Sequence, residues 1–208
     1  MSRRKLVIIV LVSLLGVGGY LLWLLFSRET LLQVAEKVLL GIEKKDARLL
    51  MRYLSNEEKN LAGLNEENLQ RFLNSFFNKG FQGFQRDGAP IIEISEVFHS
   101  LSLTQGYRHP DGREKSITIT VAMTDEGIKA VNLTNTIFFA SLYLDWPESL
   151  PRTGKNAAKL YAEKISKELS SLKTSGLNGV VQQPISGPSK FFTWEELIRR
   201  YEKIASPK

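Results

Sequence analysis

The spacing of apolar residues changes twice along this chain, and each change predicts a different kind of element. From Leu6 to Phe26 the chain has 21 consecutive residues without a charged side chain. Between residues 31 and 80, apolar residues recur every three or four positions, which indicates amphipathic helices. Beyond Gly88 they alternate with polar residues, which indicates strands. The pattern predicts an α+β domain that follows one long apolar segment.

Polar residues divide the helical part into four predicted helices. Thr30 begins the first helix, Asp46 caps a short second one, and Ser55 begins a third. The clearest helix begins at Asn65 and ends near Gly80, where a glycine is typical of a C-terminus. Its apolar residues fall at positions i, i+3, i+4, i+7 and i+8 and so share one face: Leu69, Phe72, Leu73, Phe76 and Phe77.

Three strands are predicted after these helices. The first, Ile91–Thr104, alternates imperfectly and is predicted to contain a bulge. The second, Ser116–Thr124, alternates cleanly. The third, Thr136–Trp146, has apolar residues on both faces and is predicted to be central or to face a cavity. Helices followed by these strands predict an α+β fold with a curved antiparallel sheet.

The C-terminal part is predicted to consist of an amphipathic helix over 151–172, a linker over 173–190 and a second amphipathic helix over 191–208. Thr193 and Glu196 form the capping-box pattern of the last helix. Four apolar residues share one face of that helix: Trp194, Leu197, Tyr201 and Ile204. This face is a candidate partner-binding surface, and folding back onto its own domain is the alternative.

The segment Leu6–Phe26 is predicted to span a membrane. At a helical rise of ~1.5 Å per residue it is about 31 Å long, close to the hydrocarbon thickness of a bilayer. A cleaved signal peptide has an apolar region of only about 7–15 residues and a small-residue cleavage site, and this chain has no such site here. We therefore expect an uncleaved signal-anchor. The basic leader, residues 1–5, is predicted to stay in the cytoplasm, which places residues 27–208 outside it. Other envelope proteins are the expected partners of these residues.

The positive charge of the chain does not predict nucleic-acid binding. The net charge is +6, but three of the 28 basic residues lie in the leader and all 22 acidic residues lie beyond the span. The remainder has 25 basic and 22 acidic residues, a net charge of +3, and the two signs are interspersed. The chain has no cysteine and only two histidines, which excludes disulfides, thiolate chemistry and cysteine or multi-histidine metal sites. No cofactor is expected.

The segment Val34–Glu58, "VAEKVLLGIEKKDARLLMRYLSNEE", resembles the opening of the nuclear-transport-factor-2-like superfamily. The resemblance covers about half the chain and implies a cone-like domain over 27–150, in which helices pack against a bent antiparallel sheet and enclose an apolar pocket. Such domains include enzymes, binding proteins and assembly modules, so the resemblance implies no activity. The layout of leader, span and external domain also resembles that of inner-membrane assembly factors of type IV secretion systems.

Candidate site residues follow from that cone. Six titratable side chains could transfer protons, although none has a recognisable partner in the sequence: Asp145, His99, Glu93, Glu96, Tyr53 and Tyr143. Aromatic residues form either the core or a ligand pocket; the pocket candidates are Phe72, Phe76, Phe138, Tyr143 and Trp146. The leading hypothesis is a non-catalytic membrane-anchored domain for protein–protein interaction or envelope-complex assembly. The alternatives are a binder or sensor of a small apolar ligand, and an isomerase- or dehydratase-like enzyme.

Overall fold

A sheet packed against short helices makes up the larger part of the fold, in a computed structural model that describes residues 29–142, 153–182 and 189–206. The described residues from Leu31 onward belong to one compact unit. The predicted span Leu6–Phe26 lies outside the described residues. Among the helices of the described ranges, none has both the length and the apolar character needed to cross a bilayer.

The N-terminal helices are α1 Leu31–Lys44, α2 Ala47–Tyr53, α3 Asn56–Ala62 and α4 Glu66–Phe72. The predicted caps are confirmed, because the side chains of Asp46, Ser55 and Asn65 each accept a hydrogen bond from the backbone N–H three residues later. The helix predicted from Asn65 to near Gly80 is not α-helical throughout. After α4 the chain forms a π-helical segment, Leu73–Phe77, and then α5, Asn78–Phe81.

The sheet contains β1 Gln85–Ser95, β2 Ser100–Arg108, β3 Glu114–Thr124 and β4 Gly127–Val131 in the antiparallel order β1-β2-β3-β4. The predicted α+β class is confirmed, as is the strand over Ser116–Thr124. The single strand predicted over Ile91–Thr104 is wrong, because a turn at residues 96–99 divides it into a hairpin. His99 is the last residue of this turn and has a positive φ of 44°, which neighbouring residues in the sequence do not predict.

The strand predicted over Thr136–Trp146 is also wrong where the structure describes it, since Leu133–Leu142 forms helix α6. An apolar run without clear periodicity fits a buried helix as well as a buried strand. The carboxylate of Glu58 stabilises the helical form, because it accepts hydrogen bonds from the backbone N–H groups of Leu133 (3.2 Å) and Thr134 (2.8 Å) at the N-terminus of α6. It thereby caps α6 from another helix.

The C-terminal part consists of α7 Gly154–Thr174, β5 Gly179–Gln182, β6 Lys190–Thr193 and α8 Trp194–Ala205. The two predicted helices are present, and α8 begins with the predicted capping box of Thr193 and Glu196. The predicted linker 173–190 contains β5, which pairs with β6 as a small antiparallel sheet. Helix α8 packs against α7, so both join the domain core.

Candidate interaction surface and pockets

Strand β1 is an exposed edge of the sheet. Among the described strands it pairs only with β2, and every residue from Gln85 to Ile94 is exposed to solvent. The exposed residues include large apolar side chains, which continue into the turn that follows the strand: Ile91, Ile92, Ile94, Val97 and Phe98, with exposed fractions from 44% to 83%. We call these five residues the β1 apolar patch.

The register of the hairpin explains why these side chains are apolar and yet exposed. Ile92 lies opposite Leu103 and Ile94 opposite Leu101, so both isoleucines extend the face of the sheet that forms the core. Helix α1 packs on β2 and β3, and there the two leucines are buried. Ile92 and Ile94 lie on the same face but are exposed. Ile91 projects from the opposite face, so β1 is apolar on both sides.

This edge has few of the features that usually protect exposed strands. Natural edges carry lysines, prolines or bulges, which prevent pairing with another chain. Here a register shift between Asp87 and Ile91, with Pro90 inside it, interrupts only the first half of β1. Residues 88–107 include no lysine or arginine, and the charged side chains on the hairpin from Asp87 to Glu96 are all acidic. The second half of β1 therefore presents an unprotected apolar edge bordered by carboxylates.

A pocket of about 500 Å³ lies where the end of α1 meets α5, β1 and β2. On its wall, the Glu43 carboxylate accepts hydrogen bonds from the Tyr107 hydroxyl (2.6 Å) and from the Arg86 guanidinium (2.7 and 2.6 Å). Burial raises the pKa of Glu43, but the hydrogen bonds from Arg86 and Tyr107 and the charge of Arg86 outweigh it and leave that pKa below 4.5. Burial, followed by the hydrogen bond to Glu43, raises the pKa of Tyr107.

The rest of this pocket combines an aromatic and apolar surface of Phe77, Phe81, Phe84 and Ile117 with the polar side chains of Lys45, Asn78 and Gln82. Behind it, the buried Lys115 donates a hydrogen bond to the backbone oxygen of Gly80. Its ammonium nitrogen lies 4.4 Å from the ring centre of Phe81 and 4.8 Å from that of Phe84. These cation–π contacts hold the two rings in place. The pocket thus offers a fixed apolar surface beside the Glu43–Arg86 ion pair, the Tyr107 phenol and the Lys45 ammonium, which donates to Asn78 (2.6 Å).

The three pocket candidates from the sequence that the structure describes lie elsewhere. Phe72 and Phe138 are fully buried, and both stack on Phe76 at ring distances of 5.5 and 5.7 Å. Phe138 also contacts Trp194 at 4.7 Å, so this cluster is part of the packed core. Phe76 lines a small cavity of about 100 Å³ beside Gly80 and Ser141. Two further candidates, Tyr143 and Trp146, lie outside the described residues.

The catalytic candidates are not brought together by the described structure. His99 is exposed at the β1–β2 turn, Glu93 and Glu96 are exposed on the same hairpin, and Tyr53 is buried at the end of α2. Asp145 lies outside the described residues. The catalytic candidates that the structure describes therefore form no acid–base pair around a cavity.

The candidate partner-binding face of α8 is largely buried against its own domain. Trp194 and Leu197 are buried, and the Trp194 indole donates a hydrogen bond to the backbone oxygen of Leu177 (2.8 Å). Tyr201 is partly buried, with its ring 5.0 Å from that of Tyr161, whereas Ile204 is exposed. The four residues proposed for a partner thus divide between the core and the surface of α8.

No protein-family model, curated protein or solved structure matches this chain. The resemblance to the nuclear-transport-factor-2-like superfamily therefore stays a prediction. Sequence reasoning missed the Glu43–Arg86–Tyr107 group, because Arg86 and Tyr107 follow Glu43 by 43 and 64 residues and the three form no local motif. The edge at β1 had a readable signal, namely an apolar run with carboxylates but no basic residue.

Proposed function

We propose that this chain is a single-pass membrane protein whose extracytoplasmic domain binds other proteins by strand addition at β1. The observation that carries the proposal is the β1 apolar patch on an unpaired edge. An edge strand offers a row of backbone N–H and C=O groups to an incoming extended segment. Apolar side chains on both faces of β1 add surface that becomes buried when such a segment pairs.

The charges around the patch define the partner. Asp87 is paired with Arg108 (3.0 Å), whereas Glu93 and Glu96 make the second half of the edge acidic, and a second copy of this chain pairing through that half would bring their carboxylates together. Like charges opposite each other destabilise a strand pair. An extended segment of another protein, in which lysine or arginine alternates with β-branched residues, fits both the carboxylates and the apolar side chains. We therefore assign that class of partner to β1.

The membrane anchor supports the same function. The uncharged run Leu6–Phe26 follows Arg3, Arg4 and Lys5, which is the arrangement of a signal-anchor with a cytoplasmic N-terminus. A tether limits a binding domain to the layer beside the membrane, where its effective concentration toward membrane-bound partners is high. This favours a role in assembling an envelope complex.

The edge is tested with synthetic peptides on the full chain in detergent micelles. The probes are an acetylated, amidated hexapeptide that alternates lysine and valine, its glutamate–valine counterpart, and a lysine–valine version with alternate backbone nitrogens methylated. We expect the lysine–valine peptide alone to bind in fluorescence anisotropy, more weakly as salt rises. Ile94→Lys places a charge on the edge and should reduce binding at least tenfold. The control, Leu61→Lys, changes an exposed leucine of α3 and should have no effect.

A photocrosslinking amino acid at Val97, compared with one at Leu61, tests the same edge in cells. We expect a discrete crosslinked product from Val97, and we expect Ile94→Lys in the same chain to abolish it. Equal binding of the lysine and glutamate peptides, or binding that survives backbone methylation, would refute strand addition.

The Glu43–Tyr107 pocket favours a second candidate function, binding of a small apolar ligand with one polar group. Its volume suits a small molecule, and its aromatic surface lies beside groups that can orient a polar end. Native mass spectrometry of the full chain released from detergent should reveal a retained ligand, and Phe81→Ala should reduce its occupancy. A spectrum of the unmodified chain with no added mass would count against this function.

A further inference from the structure

A groove of about 540 Å³ crosses the half of β3 that β4 does not reach. Strand β4 pairs with β3 only from Thr120 to Thr124, and α6 contacts β3. The groove opens between this part of the sheet, α6 and the C-terminal helices α7 and α8. It is separate from the Glu43 pocket and from the β1 apolar patch.

The polar residues that line the groove are uncharged hydrogen-bonding groups. They are hydroxyls and amides from β3, α6 and β5: Ser116, Thr118, Asn135, Thr136 and Gln182. Within the described part of the chain no lysine, arginine, aspartate or glutamate lines it, although charged residues make up 24% of the sequence. A charged ligand would lose its hydration here without gaining an ionic partner among the lining residues, since Arg200, the charged side chain beside them, already donates to Gln182 (3.0 Å). A neutral polar ligand can exchange water for the hydroxyls and amides.

Three aromatic rings form the other wall. Tyr161 and Tyr201 lie with ring centres 5.0 Å apart, and Phe139 meets Tyr161 edge-on at 5.3 Å. These contacts fix the orientation of the rings before a ligand arrives. The amides are also positioned, because Gln182 donates to Asn135 (3.1 Å) and accepts from Arg200 (3.0 Å). The site is therefore preorganised.

From this combination we infer that the groove binds a neutral saccharide. A sugar ring has an apolar face of C–H groups, which packs against aromatic rings, and hydroxyls around its edge, which both donate and accept hydrogen bonds. The groove provides aromatic rings on one wall and hydroxyls and amides on the other. A neutral oligosaccharide is the ligand class that uses both walls and requires no charge. This inference is independent of strand addition at β1.

The experiment measures trisaccharide binding to the full chain in detergent micelles without a sugar headgroup. The probes are maltotriose, cellotriose and triacetylchitotriose, with trigalacturonate as the anionic counterpart, in saturation-transfer NMR and calorimetry. We expect at least one neutral trisaccharide to bind and trigalacturonate to bind at least tenfold more weakly. Thr118→Val removes a hydroxyl at an exposed position and should weaken binding about fivefold.

The matched control is Thr120→Val, on the same face of β3 but outside the groove. Each threonine shares a hydrogen bond with a hydroxyl on β2, Thr118 with Thr104 (2.9 Å) and Thr120 with Ser102 (3.0 Å). The two variants should therefore lose similar stability, while only Thr118→Val weakens saccharide binding. Tyr201→Leu should abolish binding. The inference is overturned if no neutral trisaccharide binds at millimolar concentration, if trigalacturonate binds best, or if Thr118→Val and Thr120→Val have equal effects on affinity.

Discussion

At the scale of single residues, Glu58 links three parts of the fold. Its buried carboxylate accepts three hydrogen bonds, from the backbone N–H groups of Leu133 and Thr134 and from the Thr134 hydroxyl (2.7 Å). The same hydroxyl accepts a hydrogen bond from the backbone of Val181 (3.1 Å). One carboxylate thus connects α3 to the start of α6 and, through Thr134, to β5.

Replacing this carboxylate should destabilise the domain strongly. Glu58→Ala leaves buried donors without an acceptor and opens a cavity, so we expect a loss of about 2–4 kcal/mol in the free energy of unfolding. Glu57→Ala, a change at the exposed neighbouring position, is the control and should cost less than about 0.5 kcal/mol. Urea denaturation of both variants measures the difference. Similar values for the two would show that Glu58 does not hold α6.

The pH dependence gives Glu58 a second test. Burial, the dominant influence, raises its pKa above the ordinary 4.5, although the hydrogen bonds from Thr134 and Leu133 oppose this. The folded state therefore binds the proton more tightly than the unfolded state, and the stability from this group falls as pH rises above about 4.5. Glu58→Gln cannot ionise, so its stability relative to the wild type should improve between pH 4 and pH 7. A constant difference between the two proteins across that range would contradict the prediction.

The contribution of Glu43 to folding stability should change with pH in the direction opposite to that of Glu58. Because its folded pKa is lowered below 4.5, its ionised form stabilises the fold above that pH, and this stability is lost as pH falls. Tyr107→Phe removes one hydrogen bond to the carboxylate and should raise the pKa of Glu43. The stability gap between wild type and variant should therefore narrow on acidification, as measured by denaturation between pH 3 and pH 7. A gap that widens at low pH would contradict this assignment.

At the scale of elements, α8 completes the core rather than standing apart from it. Trp194 is nearly inaccessible, contacts Phe138 and donates its indole hydrogen bond to Leu177. Leu197 on the next turn is also buried. Two ends of the sequence-predicted face, Trp194 and Ile204, thus have different environments on one helix.

Truncation at these two positions separates core from surface. Trp194→Ala should destabilise the domain by about 3–5 kcal/mol, since it removes a large buried side chain and leaves a cavity. Ile204→Ala, at an exposed position of the same helix, should change stability by less than about 0.5 kcal/mol. Thermal unfolding followed by circular dichroism measures both. Equal effects would indicate that α8 packs differently from the described arrangement.

At the scale of the whole molecule, the proposed function requires the chain to be anchored with its domain outside the cytoplasm. We expect the full chain, expressed in a bacterium, to stay with the membrane fraction after alkaline extraction. Replacing Leu14 and Leu15 with arginine should release it, because charges at the centre of a bilayer are costly. Alkaline phosphatase fused after Lys208 should be active, as this reporter folds only after export. Full release of the wild type by alkali would contradict the anchor.

The sequence by itself determined the features that depend on neighbouring residues. The caps at Asp46, Ser55, Asn65 and Thr193 were predictable because each joins a side chain to a backbone N–H only three residues away. The strand at Ser116–Thr124 was predictable because one of its faces is buried, so that apolar and polar residues alternate along its sequence. These signals fixed the α+β class without any knowledge of packing.

The tertiary structure decided the features that depend on distant residues. Helix α6 forms in place of the predicted strand because Glu58, 75 residues before Leu133, caps it. The Glu43–Tyr107 pair and the groove beside β3 each join residues far apart in sequence. The β1 patch is exposed because the described helices cover β2 and β3, and sequence alone cannot report which strand a helix will cover. Local hydrogen bonds depend on residues that are neighbours in the chain, whereas the burial of a side chain depends on which distant elements pack against it.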